Sequence, residues 1–241
     1  MKPQLIVQDF GGVHNGEIQK TSARLIKGAS WKKQRTVVLI PAGDSIPSKV
    51  ALSHWNLGFP PNQQVVKILA QGMEVGEAYS TAIEQILLHP ELKDWEYLLT
   101  IEHDNMPPPD GLVKLLEQME AHPEFACIGG LYFTKGYNGM AQIWGDPKDP
   151  TPNFRPQPPN PNGLLQECVG TGMGFNVWRL KMFKDPKLRK PWFKTLTGAE
   201  GQGVFTQDLY FWGDARKYGY RCAVDCGVKV GHYDHVNDIV W

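Results

Sequence analysis

Acidic residues placed directly after a strand-forming segment are the part of this sequence best suited to chemistry. Residues 95–101 are rich in aromatic and aliphatic side chains, and the chain then turns polar at Glu102, His103, Asp104 and Asn105. In open α/β sheets, ligands bind beyond the carboxyl ends of the strands. Two carboxylates separated by one residue there can hold a divalent metal ion, with a nucleoside diphosphate supplying further oxygens. A local turn capped by Asp104 or Asn105 explains this segment, taken alone, equally well.

Two later residues favour the metal interpretation. His232 also follows a predicted strand, and a neutral imidazole is a suitable third ligand for a manganese or magnesium site. Asp208 lies in the first turn of a predicted helix, where the helix dipole is expected to lower its pKa. A carboxylate at that place can accept a proton from an incoming hydroxyl group, although helix capping is the simpler role.

The elements that must position these residues alternate between strands and helices. Predicted strands cover residues 36–40, 65–69, 95–101, 125–133 and 222–230, and predicted helices cover residues 76–89, 112–119 and 207–218, the last with Thr206 as its cap. The first strand is a continuous β-branched and aliphatic run and the second repeats that pattern, which is typical of buried parallel strands. On one face of the last strand we expect Cys222, Val224, Cys226, Val228 and Val230. The alternation favours a mainly parallel, doubly wound α/β sheet.

The chain length of 241 residues suits a single α/β domain, which we place at residues 36–241. Residues 1–35 are predicted to be an N-terminal extension whose second half is basic, with Lys20, Arg24, Lys27, Lys32, Lys33 and Arg35. Residues 144–163 include seven prolines and predict an extended loop. This loop is either a passive linker or a flap that faces the substrate.

Composition excludes some classes of function. The formal net charge is zero, so no global electrostatic attraction draws the protein to nucleic acid or an anionic membrane, although a local basic face remains possible. Cys127, Cys168, Cys222 and Cys226 form no Cys-x-x-Cys pair and are interpreted as small hydrophobic side chains. Neither a signal peptide nor an apolar run of membrane-spanning length is visible, which predicts a cytoplasmic protein.

A run of glycines follows the proline-rich loop, at Gly170, Gly172 and Gly174. Its spacing does not match the dinucleotide-binding fingerprint, and no suitably spaced acidic residue follows it. We expect these glycines to let the backbone pass close to a ligand or to another strand.

In order and spacing, these residues resemble nucleotide-sugar glycosyltransferases of the GT-A fold, particularly the small family-2-like enzymes of phage and prokaryotic genomes. The resemblance covers about residues 36–235, with landmarks at residues 40–43, 102–110, 128–133, 172–175, 207–209 and 230–234. It implies a Rossmann-like, mainly parallel twisted sheet flanked by helices. If the chain is encoded by a phage, it also implies the cytoplasm of the bacterial host as its location.

The resemblance also implies roles for individual residues. The family's Asp-x-Asp pair is matched here by Glu102-x-Asp104, so a divalent Mn²⁺ or Mg²⁺ ion is expected at Asp104 and His232, with Glu102 as a variant ligand. Asp208 matches the general base of inverting members. Contacts with a UDP- or GDP-linked sugar donor are expected from Pro41, Ala42, Gly43, Gly76, Glu102, His103, Gly172, Met173 and Gly174.

The acceptor is predicted from a basic segment, residues 178–194, in which seven Lys or Arg side chains alternate with Trp178, Phe183, Trp192 and Phe193. Such a mixture suits an anionic polymer, for example a hydroxymethylated base in phage DNA. A solvated face whose aromatic side chains belong to the core is the plain alternative. Two other functions stay open: a nucleotidyltransferase, although residues 41–45 lack its basic phosphate loop, and a non-catalytic nucleotide-sugar-binding module.

Overall fold

Seven strands form the central sheet of the protein, for which a computed structural model describes residues 34–60, 63–151, 153–198 and 203–241. The strands in chain order are β1 (Thr36–Ala42), β2 (Val65–Gln71), β3 (Tyr97–Ile101), β4 (Asn105–Met106), β5 (Cys127–Leu131), β6 (Ile143–Trp144), β7 (Leu165–Cys168), β8 (Gly170–Thr171), β9 (Phe175–Arg179), β10 (Leu196–Thr197), β11 (Gly203–Phe205), β12 (Cys222–Lys229), β13 (Gly231–Asp234) and β14 (Ile239–Val240). The α-helices are α1 (Ser48–Trp55), α2 (Val75–Leu88), α3 (Gly111–Ala121) and α4 (Gln207–Ala215).

The strand order of the central sheet is β2-β1-β3-β9-β5-β12-β7. β1 is parallel to β2 and β3, and β12 is parallel to β5, whereas β9 is antiparallel to both β3 and β5. Five strands therefore run in one direction, and β9 and β7 run in the other. The prediction of a mainly parallel α/β sheet with flanking helices is confirmed, and this sheet is consistent with a Rossmann-like fold. Because β1, β3, β5 and β12 run in the same direction, they end at the same edge of the sheet.

Alternate side chains of the central strands enter two separate hydrophobic clusters. Val37 and Leu39 of β1 pack in one cluster with Ile83 of α2, and Val38 packs in the other with Leu116 of α3. This period of two is the geometry of a strand that is buried on both faces. Helices on both sides of the sheet therefore hold β1 and β3 rigidly, and the ends of these strands are well-defined places for functional groups.

The last central strand departs from the predicted pattern. Cys222, Val224 and Cys226 lie in the first cluster, but Val228 and Val230 lie in the second. The register of β12 against β5 shifts between Asp225 and Lys229, and such an irregularity reverses which side chains face each way. The prediction of one common face is therefore wrong for Val228 and Val230.

β2 also differs from its prediction as a buried strand. It lies at the edge of the sheet, next to β1 alone, and Leu69 is 52% exposed. The apolar residues of this strand, interrupted by Lys67, do not distinguish an edge strand from a central one, because the pattern records side-chain type and not the number of neighbouring strands.

A small antiparallel sheet joins two distant parts of the chain beside the central sheet. β13 pairs with β4, so that His232 lies opposite Asn105, and β13 also pairs with β14. The Tyr233 N–H donates a hydrogen bond of 2.7 Å to the carbonyl oxygen of Asp104. The turn after β3 is thereby fixed against the C-terminal part of the chain.

The predicted N-terminal extension lies outside the described residues except for Gln34 and Arg35. Gln34 is buried, and the Arg35 guanidinium forms an ion pair of 2.8 Å with Glu96. These two residues therefore belong with the domain, and Arg35 does not extend a free basic surface. The other basic residues predicted for this segment, Lys20, Arg24, Lys27, Lys32 and Lys33, are outside the described ranges.

The proline-rich loop folds back on itself. The Gly145 N–H donates to the Arg155 carbonyl at 2.8 Å, and the Gln157 N–H donates to the Ile143 carbonyl at 2.9 Å. Residues 159–163 line a cavity of about 680 Å³ together with Phe133 and Trp241. The end of the loop thus lies near the C-terminal part of the small sheet, and its role as a linker or a flap stays open.

All four cysteines are buried as free thiols, which confirms their interpretation as small hydrophobic side chains. Among the residues that the structure describes, no helix combines the length and the apolar character needed to cross a membrane.

Candidate functional site

Asp104 and His232 meet at the edge of the sheet where β3 ends. The Nε2 atom of His232 lies 3.3 Å from Oδ2 of Asp104. The cause is the pairing of β4 with β13, which places His232 opposite Asn105, the residue after Asp104. The chain fold therefore brings together the two side chains that the resemblance assigns to a metal.

The hydrogen bonding of His232 fixes which of its ring nitrogens carries the proton. Nδ1 lies 2.7 Å from the carbonyl oxygen of Phe133, which only accepts, so Nδ1 must be the donor. In the neutral ring, Nε2 then presents a lone pair toward the Asp104 carboxylate. Two acceptors that face each other need a proton or a cation between them. Histidine ligands of metals are commonly oriented in this way by a backbone carbonyl.

Lys135 contributes a positive charge to the same place. Its ammonium nitrogen lies 2.7 Å from Asp104 Oδ2. Burial on its own would raise the pKa of Asp104, but the hydrogen bond from the doubly protonated form of His232 and the hydrogen bond from Lys135 outweigh burial and hold that pKa below its ordinary value. Asp104 is therefore ionised at neutral pH, as a ligand for a cation must be.

Glu102 behaves differently although it is only two residues away. Glu102 is half-buried and lines a cavity, and burial together with the negative charges of Asp104 and Asp208 raises its pKa to about 8. Glu102 is thus mainly protonated at neutral pH, and a protonated carboxyl group is a poor metal ligand. In the described ranges, no three or more His, Cys, Asp or Glu side chains are grouped to hold a metal ion. Of the predicted ligands, Asp104 and His232 are adjacent, and Glu102 does not complete a set of three.

Asp208 is buried in the first turn of α4, where it is 5% exposed. Burial raises its pKa above the ordinary value, against the opposing effects of the Thr206 hydroxyl and the Leu209 N–H, which donates a hydrogen bond of 2.8 Å. The expectation that the helix dipole lowers this pKa is therefore wrong, because desolvation is the larger effect. Thr206 occupies the N-cap position without the predicted side-chain cap on the helix backbone. A carboxylate with a raised pKa is a stronger base.

A cavity of about 270 Å³ opens beside these carboxyl groups, at the ends of β1 and β3. Its lining consists of Pro41, Ala42, Gly43, Met73, Val75, Glu102, His103, Asp104 and Gln207. Five of these nine residues were predicted to contact a donor, and Asp104 was predicted to bind the metal. Met73, Val75 and Gln207 were not, although Gln207 is the neighbour of Asp208 in the chain. Gly76 does not line this cavity and packs instead against the backbone of Phe193 and Lys194.

The segment from Gly172 to Gly174 is packed against protein atoms. A side chain at Gly174 would place its Cβ 2.6 Å from the ring of Tyr132, so only glycine fits there. The Gly174 N–H donates to the Tyr132 hydroxyl at 2.9 Å, and its carbonyl accepts from the Glu102 N–H at 3.0 Å. Met173 is buried as well. This segment therefore holds the backbone of Glu102, and its predicted contact with a donor stays a prediction.

α1 braces the chain on the far side of Asp104. The Ser53 hydroxyl donates to the carbonyl of Pro107, and Nε2 of His54 donates to the carbonyl of Asn105, both at 2.9 Å. Sequence reasoning did not identify these supports. It also missed Lys135, because a single lysine in a polar turn carries no signal that its partner lies 31 residues earlier in the chain.

The basic segment of residues 178–194 differs from the predicted acceptor surface. Its aromatic side chains Trp178, Phe183, Trp192 and Phe193 are at most 2% exposed and pack against one another. They are part of the core, so stacking on nucleic acid bases is excluded for them in this fold and the plain alternative is confirmed. Lys184 and Lys190 form ion pairs with Asp94 and Glu84.

Comparison with known proteins concerns the fold alone. No protein-family model matches the chain, and no curated protein matches it. Among solved structures, the chain is similar to A197 from STIV, with a TM-score of 0.60 and 15% sequence identity over 86% of this chain and 93% of that chain. This likeness supports the α/β architecture, and the identity is too low to carry a function across.

The raised pKa of Glu102 predicts a specific dependence of stability on pH. The folded carboxyl group has a pKa of about 8, against 4.5 for its ordinary value, so the folded state retains a proton that the unfolded state loses. The stability from this group is fully present below about pH 4.5 and is lost as the pH rises toward 8. We expect Glu102→Gln, which keeps the neutral shape, to exceed the wild type in free energy of unfolding by about 1–3 kcal/mol at pH 8.5.

Urea denaturation at pH 5, 7 and 8.5 measures this difference. Glu84→Gln is the matched control, because Glu84 forms an exposed ion pair with Lys190 and should show no such trend. Equal pH profiles for the wild type and Glu102→Gln would contradict the assignment of Glu102 as a protonated group.

Proposed function

We propose that the protein is a metal-dependent glycosyltransferase of the GT-A type, which moves a sugar from a nucleoside-diphosphate sugar to an acceptor hydroxyl. The observation that carries this proposal is the Asp104–His232 pair, separated by 3.3 Å, at the rim of the cavity where β1 and β3 end. Ligand sites of open α/β sheets lie at this edge. The buried Asp208, with its raised pKa, adds a candidate base close to the same carboxyl groups.

Asp104 and His232 are the residues that would hold the metal ion, Mn²⁺ or Mg²⁺. Their donor set fits such an ion, because it combines an ionised carboxylate with an imidazole nitrogen whose lone pair is directed at the carboxylate. When bound, the metal stabilises the negative charge that builds on the departing nucleoside diphosphate.

The cavity residues bind the donor in this proposal. Pro41, Ala42 and Gly43 provide a wall at the end of β1 for a UDP- or GDP-linked sugar. Glu102, protonated at neutral pH, can both donate and accept a hydrogen bond, which suits a hydroxyl of the ribose better than a metal ion. In this proposal, Glu102 replaces the first Asp of the family's Asp-x-Asp pair and binds the ribose in place of the metal ion.

Asp208 acts as the general base in the proposed mechanism. Its carboxylate takes the proton from the acceptor hydroxyl while the oxygen of that hydroxyl attacks the anomeric carbon. The bond from the anomeric carbon to the diphosphate breaks in the same step, and the configuration at that carbon is inverted. An anionic polymer as the proposed acceptor class now rests on the basic side chains of residues 178–194 alone, and an acceptor affinity that does not change with salt concentration would count against it.

A screen of donor hydrolysis over UDP-, GDP- and CMP-linked sugars with Mn²⁺ tests the proposal. Release of free sugar and nucleoside diphosphate supports a glycosyltransferase. A nucleotidyltransferase would instead transfer the nucleotide to or from a sugar phosphate and form or consume pyrophosphate. A non-catalytic module of the same fold would bind the nucleotide sugar and leave it intact.

Asp104→Asn is expected to abolish turnover and metal dependence together, because it removes the charged oxygen that Lys135 and His232 both face. A decrease in kcat of at least about 10²-fold is expected, and Mn²⁺ should no longer stimulate the remaining activity. Asp94→Asn is the control, since Asp94 forms an exposed ion pair with Lys184. Retention of Mn²⁺-stimulated turnover by Asp104→Asn would remove Asp104 from the metal site.

Asp208→Asn is expected to abolish turnover and to leave donor binding measurable by calorimetry, because the base acts on the acceptor and does not hold the nucleotide. The loss in kcat should be about 10²–10⁴-fold. Asp214→Asn, a substitution in the same helix on a residue that pairs with Lys217, controls for damage to α4. Normal turnover by Asp208→Asn would overturn the assignment of the base.

A further inference from the structure

Lys135 is a charged residue of the site to which the proposed mechanism gives no role. Its ammonium nitrogen lies 2.7 Å from Oδ2 of Asp104, and the same oxygen faces Nε2 of His232 at 3.3 Å. Over the ranges that the structure describes, Lys135 is the one lysine or arginine in an ion pair with Glu102, Asp104 or Asp208. A metal ion bound at Asp104 and His232 would compete with this ammonium group for one oxygen.

A hairpin keeps the backbone of Lys135 beside the site. The Thr134 N–H donates to the Met140 carbonyl at 2.9 Å, which closes the hairpin next to Lys135. The Phe133 carbonyl accepts the hydrogen bond from Nδ1 of His232 at 2.7 Å. The hairpin is therefore anchored to the second predicted metal ligand, and Lys135 stays near the site even when its ammonium group leaves Asp104.

The side chain of Lys135 is free to change partner. It is 33% exposed, whereas the side chain of Asp104 is 19% exposed. A lysine side chain is a flexible stem that carries a compact charge, and one partly exposed ion pair holds it only weakly. A divalent cation with two protein ligands attracts the same carboxylate with twice the charge.

We propose that Lys135 is an exchangeable cation: it neutralises Asp104 when no metal is bound, and it moves to the diphosphate of the donor when a divalent metal occupies Asp104 and His232. This inference rests on the proposed function. It adds a binding residue for the diphosphate and gives the Lys135–Asp104 ion pair a role. Lysine is suited to phosphate as a mobile point charge.

Charge balance is the physical reason why the Lys135 ammonium group would move to the diphosphate. The diphosphate of a nucleotide sugar carries two negative charges, and the departing nucleoside diphosphate gains a third, which one divalent cation does not neutralise. The nearby Asp104 and Asp208 carboxylates would repel that excess charge. The displaced ammonium group of Lys135 is tethered within a side-chain length of Asp104, which is where the phosphate oxygens would approach a metal. The exchange thus links metal binding to donor binding.

The full-length Lys135→Met variant tests the exchange with two measurements of binding. Mn²⁺ affinity without nucleotide is measured by electron paramagnetic resonance of free Mn²⁺, and UDP and GDP affinities are measured by calorimetry in saturating Mn²⁺. We expect Lys135→Met to bind Mn²⁺ about threefold to tenfold more tightly and the preferred nucleotide about threefold to tenfold more weakly than the wild type. Lys135→Arg keeps the charge and should shift both affinities less, and Lys217→Met, which affects a pair with Asp214, should shift neither.

Opposite shifts in the two affinities support the exchange, and the double variant Lys135→Met/Asp104→Asn should then lose the gain in Mn²⁺ affinity. Unchanged affinities in Lys135→Met, or a weaker Mn²⁺ affinity, would overturn it. Such affinities in Lys135→Met leave the proposed function intact if the wild type turns over a nucleotide sugar. The exchange would also be overturned if the wild type turned over the donor in EDTA and Lys135→Met did not. In that case Lys135 would replace the metal permanently. Failure of the wild type to bind any nucleotide sugar would instead contradict the proposed function itself.

Discussion

The antiparallel pairing of β4 with β13 is the constraint on which the candidate site depends. It joins Asp104 and His232, which are 128 residues apart in the chain, and it does so with two strands of two and four residues. Such short strands are weak when isolated. They hold here because α1 binds the carbonyl groups of Asn105 and Pro107, and because β14 covers the other edge of β13. The central sheet supplies the platform, and the small sheet sets the distance between the two side chains.

Three carboxyl groups in one enclosed region acquire three different proton affinities. Asp104 is ionised because the Lys135 ammonium donates to it, Glu102 retains its proton to about pH 8, and burial raises the pKa of Asp208, for which the described residues supply no ion pair. Neighbouring groups whose environments separate their pKa values are typical of sites that divide ligand binding, hydrogen bonding and base chemistry between them. The proposed roles of metal ligand, ribose contact and general base follow this division.

Much of the architecture could be predicted from the sequence, because it depends on local patterns. The continuous apolar segment before Glu102 and the helical spacing in residues 76–89 identify a strand and a helix wherever they occur, and both are present. The reversal at Val228 could not be predicted, because it arises from the irregular register of β12 against β5. Position at the edge or centre of a sheet is likewise a tertiary property, which is why β2 was misjudged.

The candidate site could likewise be predicted from the sequence where it depends on local patterns. Asp104 and His232 were recognisable because each follows a strand, and strands that run in parallel end at one edge. The pKa of Asp208 was misjudged, because helix position is visible in the sequence and desolvation is not. Lys135 was invisible, because its role depends on a hairpin that brings one lysine of an ordinary turn to Asp104. Long-range charge pairs of this kind leave no local pattern.

The most direct measurement of the central claim is the ligation of the metal itself. Electron spin-echo spectroscopy of Mn²⁺ bound to the protein with UDP or GDP detects whether a histidine nitrogen coordinates the ion. We predict nitrogen coupling from one imidazole in the wild type and its loss in His232→Gln, because the lone pair of Nε2 is directed at Asp104. Bound Mn²⁺ without nitrogen coupling in the wild type, or with unchanged coupling in His232→Gln, would contradict a metal site at Asp104 and His232.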